Sequence, residues 1–109
     1  MEKIKYGIIG AGTMAREHIL NLSLIDEAEV VALSDPHEES LKQCQELLKS
    51  DAVCFKNHQD LIKENLVDVY IISSPNFTHI QILKDVKICY KLGTPPPPII
   101  FFLKLQCSL

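Results

Sequence analysis

The 109-residue sequence lacks a cationic excess: 11 Lys and Arg stand against 14 Asp and Glu, a formal charge of −3. No basic stripe is visible either, so a nucleic-acid partner is not expected. Nowhere does an apolar run approach the ~20 residues that a membrane helix needs, and no membrane partner is expected. The four cysteines, Cys44, Cys54, Cys89 and Cys107, contain no CxxC pair. Nor is a leader expected, because Met1-Glu2-Lys3-Ile4 runs straight into a strand-like segment. Reduced thiols in a cytoplasmic protein are therefore expected rather than two disulfides. His18, His37, His58 and His79 are almost evenly spaced, but their flanks ("REHIL", "DPHEE", "KNHQD", "FTHIQ") share nothing, so no repeat is read. No set of metal ligands is singled out.

What is present is ordinary for a globular domain: 47% hydrophobic and 23% charged residues. A chain of this length is expected to form one domain and to bury about two-thirds of its unfolded surface. Its pattern alternates. Ile4 to Ile9 is an apolar strand that ends at Gly10. Thr13 to Leu24 is a helix, with Ala15, Ile19 and Leu22 on one face. "EVVALSD", Glu29 to Asp35, is an apolar strand of the kind buried on both faces of a parallel sheet. Pro36 to Lys49 is a helix, lined by Leu41, Cys44, Leu47 and Leu48. Cys44 and Cys54 are expected in the core, as small hydrophobes. Ala52 to Phe55 is a short strand, and Asn57 is placed to cap a brief helix carrying Leu61 and Ile62. Val67 to Ser73 is a fourth strand. A helix follows from about Thr78, with Ile82 and Val86 on one face. Strand and helix repeated four times give right-handed crossovers and an α/β, Rossmann-like, doubly wound parallel sheet of about four strands.

The pattern breaks after Val86, which divides residues 1–86 from an irregular tail, 87–109. Four prolines, Pro95 to Pro98, suit neither a helix nor a central strand. "IIFFL" beyond them is β-prone, fit for an edge strand or an exposed aggregation-prone run. A missing fifth strand would leave an open edge beside the fourth, and marginal stability is expected.

The first turn reads Gly10-Ala11-Gly12-Thr13-Met14-Ala15, between strand and helix. Gly10 permits a tight turn. Gly12 lets a pyrophosphate approach the backbone, and Ala15 allows close strand–helix packing. The helix N-terminus then offers free N–H groups to phosphate. Asp35, at the end of the second strand, can accept hydrogen bonds from both adenosine ribose hydroxyls and would repel a 2′-phosphate. No arginine lies between Asp35 and Lys42, so NAD is favoured over NADP. A turn-forming glycine pair with a capping Asp35 is the plainer alternative. An S-adenosylmethionine loop is another, although it usually lacks the small third residue.

"SSPNFTH" ends the fourth strand, near the point where strand order reverses and ligands bind. Ser73, Ser74, Pro75 and Asn76 would lie beside the cofactor, with His79 one turn on. On geometry alone, a proline-asparagine turn with Thr78 capping a helix and His79 solvated accounts for them equally well.

"YGIIGAGTMAREH", "VVALSDP" and "VDVYIISSPNFTHIQIL", in this order, resemble the N-terminal half of the glucose-fructose oxidoreductase / inositol dehydrogenase / MocA-like family. The resemblance covers roughly residues 3 to 86. It implies a pyrophosphate loop at Gly10, Gly12 and Ala15, a ribose-binding Asp35, and a nicotinamide-side loop at Ser74, Pro75, Asn76 and His79. It also implies hydride transfer between a nicotinamide cofactor and a sugar, polyol or related alcohol. That family continues to a Glu-Lys-Pro strand end with a catalytic lysine, then a substrate domain. Neither is found in this sequence, and Lys104 has no Glu before it or Pro after it. No catalytic residue is assigned. The expectation is a truncated cofactor-binding half, with a non-catalytic or regulatory dinucleotide-binding module, pairing with a full-length relative, as the alternative.

Overall fold

The structure is a computed structural model and describes residues 3–48, 51–64, 66–78, 80–85 and 99–102. Five parallel strands are β1 (Ile4–Ile9), β2 (Ala28–Ser34), β3 (Val53–Phe55), β4 (Val69–Ile72) and β5 (Ile99–Phe102), in the order β3-β2-β1-β4-β5. The helices are α1 (Thr13–Leu22), α2 (Glu38–Leu47) and α3 (His58–Glu64), with a further helical segment over residues 80–85. The order turns back on either side of β1, so β1 and β4 stand at the centre with their carboxyl ends together.

Alternate residues of each inner strand feed opposite faces, as the two-residue period requires. Ile8, Leu33 and Ile71 pack with Ala15 and Ile19 of α1 and with Leu41 and Cys44 of α2. Ile9, Ala32, Tyr70 and Ile72 pack on the other side with Leu61, Ile62 and Ile82. All four residues of β4 are buried. A sheet covered on both faces explains why these strands read as continuous apolar runs.

The structure corrects several boundaries. α1 stops at Leu22 rather than Leu24, where the Ser23 hydroxyl donates to the Leu20 carbonyl at 2.6 Å and Leu24 stands exposed. α2 begins at Glu38, two residues after Pro36, because Asp35 Oδ1 accepts the His37 N–H at 2.8 Å and holds a turn there. Leu47 is exposed rather than lining the core, while Leu48 is half-buried against it. Cys54 is also exposed, unlike Cys44, because β3 is a three-residue strand at the sheet edge. After β4 comes a 3₁₀ turn, Asn76–Thr78, and the helical segment that follows is described from residue 80.

The tail contributes a strand. "IIFF" pairs in parallel with β4, in the register Val69↔Ile99 to Ile72↔Phe102. The edge beside β4 that was expected to be open is therefore occupied, which removes the argument for marginal stability that rested on it. Val86, the four prolines, Cys89, Lys104 and Cys107 lie outside the described residues. No helix among the described residues is long and apolar enough to cross a membrane.

Candidate functional site

Ser34 and Asp35 at the carboxyl end of β2, Ser73 after β4 and Cys44 of α2 hold the first turn. Gly10 has φ +101°, a conformation that suits glycine. Its N–H donates to the Ser34 carbonyl at 2.8 Å, and its carbonyl accepts the Ser73 hydroxyl at 2.8 Å. Ala11 is fully buried. Its N–H donates to Asp35 Oδ2 at 2.8 Å, and its carbonyl accepts the Cys44 thiol at 3.4 Å. Burial pushes the Cys44 thiol above its ordinary range, the nearby Arg16 charge opposing this, so the sulfur keeps the proton it donates. The backbone polar groups of Gly10 and Ala11 are thus all bonded, to the strand ends and to α2.

The opposite side of the turn is open. A Cβ built on Gly12 would meet no atom within 4 Å. α1 has no side-chain cap and no acidic residue in its first turn. Its leading N–H groups and the positive end of its dipole therefore face free space, where an anion is stabilised. Arg16 leans along this helix, donating to Thr13 Oγ1 at 3.3 Å and to Gln43 Oε1 at 2.8 Å. Met14 is half-buried one turn from Gly10.

Asp35 leaves β2 half-buried, each carboxylate oxygen holding one backbone N–H, of Ala11 and of His37. An ionised carboxylate has about four lone-pair sites, so acceptor capacity remains on its outer side. The carboxylate is oriented by the loop it is expected to serve.

A cleft of about 740 Å³ opens between this carboxylate and the loop after β4. Asp35, Pro36, Lys56, Ser74, Pro75 and Phe77 are among its lining residues. The Ser74 and Thr78 hydroxyls share a 2.6 Å hydrogen bond, and Thr78 also donates to the Pro75 carbonyl at 2.7 Å. Thr78 thus closes a turn back onto Pro75, and this turn places Ser74 and Pro75 on the cleft. The backbone of Asn76 lies in the same 3₁₀ turn. His79 lies outside the described residues.

Several residues here carry no local sequence signal. Asp85 receives His58 Nε2 at 2.6 Å and Gln81 Nε2 at 3.0 Å, and Gln59 Nε2 lies 3.3 Å away. This clasp ties α3 to the segment 80–85 and fixes one wall of the cleft. Lys56, directly after β3, reaches the cleft from the edge of the sheet. Asn57, expected to cap α3, does so: its Oδ1 accepts the Asp60 N–H at 2.9 Å.

Comparison with known proteins agrees with this geometry. A family model described as an oxidoreductase family with an NAD-binding Rossmann fold (Gfo/Idh/MocA) matches residues 4–87. Myo-inositol 2-dehydrogenase of Thermotoga maritima is 31% identical over 80 residues, covering 73% of this chain and 24% of that protein. Glucose-6-phosphate 3-dehydrogenase of Bacillus subtilis is 36% identical over 75 residues, covering 69% and 20%. The crystal structure of myo-inositol dehydrogenase from Lactobacillus casei, in complex with NAD(H) and myo-inositol, superposes with a TM-score of 0.77. Its identity to this chain is 25%, over 92% of this chain and 28% of that one. The chain thus spans between a fifth and a third of the length of these relatives.

Proposed function

The chain belongs to the Gfo/Idh/MocA oxidoreductase family and carries its NAD-binding Rossmann fold, and from that premise we propose that it binds NAD(H) in the cleft beside Asp35. The observation that carries this reading is the two-sided first turn. The polar groups of Gly10 and Ala11 are bonded to the strand ends and to Cys44 of α2, while the space over Gly12 and the start of α1 is open. A plain structural turn has no need of that open, uncapped face. The N–H groups of Gly12, Thr13 and Met14 would hold the pyrophosphate. Asp35 would accept from the adenosine ribose. Ser73, Ser74, Pro75, Asn76 and His79 would flank the nicotinamide side. NAD is favoured over NADP because a 2′-phosphate would meet the Asp35 carboxylate.

When bound, the cofactor accepts or donates a hydride. The parent reaction would be reversible oxidation of a sugar, polyol or related alcohol, as the names of the inositol and glucose-6-phosphate dehydrogenases suggest. This chain's residues orient the cofactor. Holding a substrate carbon against it, worth about 7–11 kcal/mol of barrier in well-positioned reactions, needs further groups. The family's Glu-Lys-Pro does not occur among the 109 residues. We therefore propose a cofactor-binding unit with little turnover by itself.

Titration with NADH, read by nicotinamide fluorescence in a protein free of tryptophan, tests the reading. Asp35→Ala should weaken NADH binding roughly tenfold to a hundredfold, since hydrogen bonds to a charged group contribute about 1.5–3 kcal/mol. Asp35→Asn, which keeps an acceptor oxygen for the Ala11 N–H, should fall between the two. Equal affinity of wild type and Asp35→Ala would rule out the ribose contact.

A further inference from the structure

We propose that Lys56 sets how strongly the site discriminates between NADH and its 2′-phosphorylated form, an inference that rests on the reading of Asp35 as the ribose ligand. Along the chain, the six residues after Asp35 are Pro36, His37, Glu38, Glu39, Ser40 and Leu41, with no cation among them. Read locally, a 2′-phosphate finds only repulsion. The sheet changes this. β3 lies parallel to β2 in the register Ser34↔Phe55, and the Asp35 N–H donates to the Phe55 carbonyl at 3.1 Å. The residue that leaves β2 and the residue that leaves β3 are therefore neighbours, and they are Asp35 and Lys56.

Lys56 is exposed and lines the same cleft as Asp35 and Pro36. It is the one Lys or Arg among the described residues that line it. The Asp35 oxygens hold backbone N–H groups, and among the described residues Lys56 forms no ion pair. Lys56 thus lines the cleft with Asp35, on the neighbouring strand end, without being paired to its carboxylate.

The two forms of the cofactor differ at one position. A 2′-hydroxyl donates to the Asp35 carboxylate and has no need of Lys56. A 2′-phosphate carries about −1.5 to −2 charges near neutral pH, cannot donate to Asp35, and is repelled by it. The lysine ammonium presents three donors and a compact positive charge at the adjacent position. Glu38 and Glu39, in the first turn of α2, add to the negative side. The local balance still favours NADH, and Lys56 limits the margin. The structure thus assigns selectivity to a pair, Asp35 from β2 and Lys56 from β3, rather than to the residues that follow β2 alone.

The readout is the ratio of Kd for NADPH to Kd for NADH, measured on the same chain at low ionic strength. Lys56→Gln should raise this ratio roughly three- to fivefold, the upper end of the size expected of a charge contact at an exposed site. Lys56→Arg should restore it to near the wild-type value. In about 1 M salt, where the screening length is about 3 Å, the difference between wild type and Lys56→Gln should shrink. NADH binding by each variant serves as the folding control. A ratio unchanged within twofold in Lys56→Gln, with NADH still bound, overturns the role of Lys56 and leaves the ribose reading of Asp35 standing. Failure of the wild type to bind NADH overturns both.

Discussion

Gly10→Ala is expected to lose about 3 kcal/mol of stability, a fall in Tm of roughly 12–20 °C for a domain of this size. Two independent costs combine. The first is conformational: φ at Gly10 is +101°, which a residue with a Cβ occupies only under strain. The second is steric. The added methyl carbon would lie 2.5 Å from the Ser74 nitrogen, 2.7 Å from Ser74 Cα and 2.8 Å from the Ser73 carbonyl carbon. All three are backbone atoms, so no rotamer change relieves the contact, and β1 and β4 must separate where they meet. That junction is held by the Ser73 N–H on the Ile9 carbonyl at 2.9 Å and by the Ser73 hydroxyl on the Gly10 carbonyl. Ser73→Ala, which removes only the second bond, should cost about 1 kcal/mol. Thermal melts followed by circular dichroism give the ranking. A Gly10→Ala protein melting within about 3 °C of wild type would show that the turn is more pliable than its bonding implies.

The parts of this site legible in the sequence are those encoded within one strand–turn–helix unit. Gly10, Gly12 and Ala15 are read from the change of period at the end of β1. Asp35 is read from its place at the end of β2, and the structure joins it to the loop through the Ala11 N–H. Helical spacing likewise puts Cys44 in the core. It gives no sign that the thiol closes the Ala11 carbonyl, because that depends on how α2 lies over the turn. Cys54 has the same apolar look and is exposed, since a strand's burial depends on whether another strand covers its outer edge. Lys56 carries no signal along the chain; only the β2–β3 register brings it to Asp35. The pairing of "IIFF" with β4 is non-local in the same way: the run reads as fit for an edge strand, but which strand it joins is not encoded in the segment.

The two glycines, two positions apart, differ in their surroundings, and Gly12→Val tests the role proposed for the second. At Gly12 the backbone is extended, with φ −85° and ψ −157°, and an added Cβ meets nothing within 4 Å. Valine is a poorer helix N-cap than glycine, a loss of about 1 kcal/mol or less, well below the cost expected at Gly10. The fold should therefore survive, with a Tm lowered by no more than about 8 °C. Binding should not. The isopropyl group would fill the open space over the first turn of α1, where the pyrophosphate is proposed to rest on the N–H groups. Losing two charge-assisted hydrogen bonds there costs about 3 kcal/mol, or roughly a hundredfold in Kd for NADH. If the folded Gly12→Val protein binds NADH within threefold of wild type, the phosphates do not lie over this turn. If it loses binding while Gly10→Ala loses its fold, the first glycine belongs to the sheet and the second to the ligand.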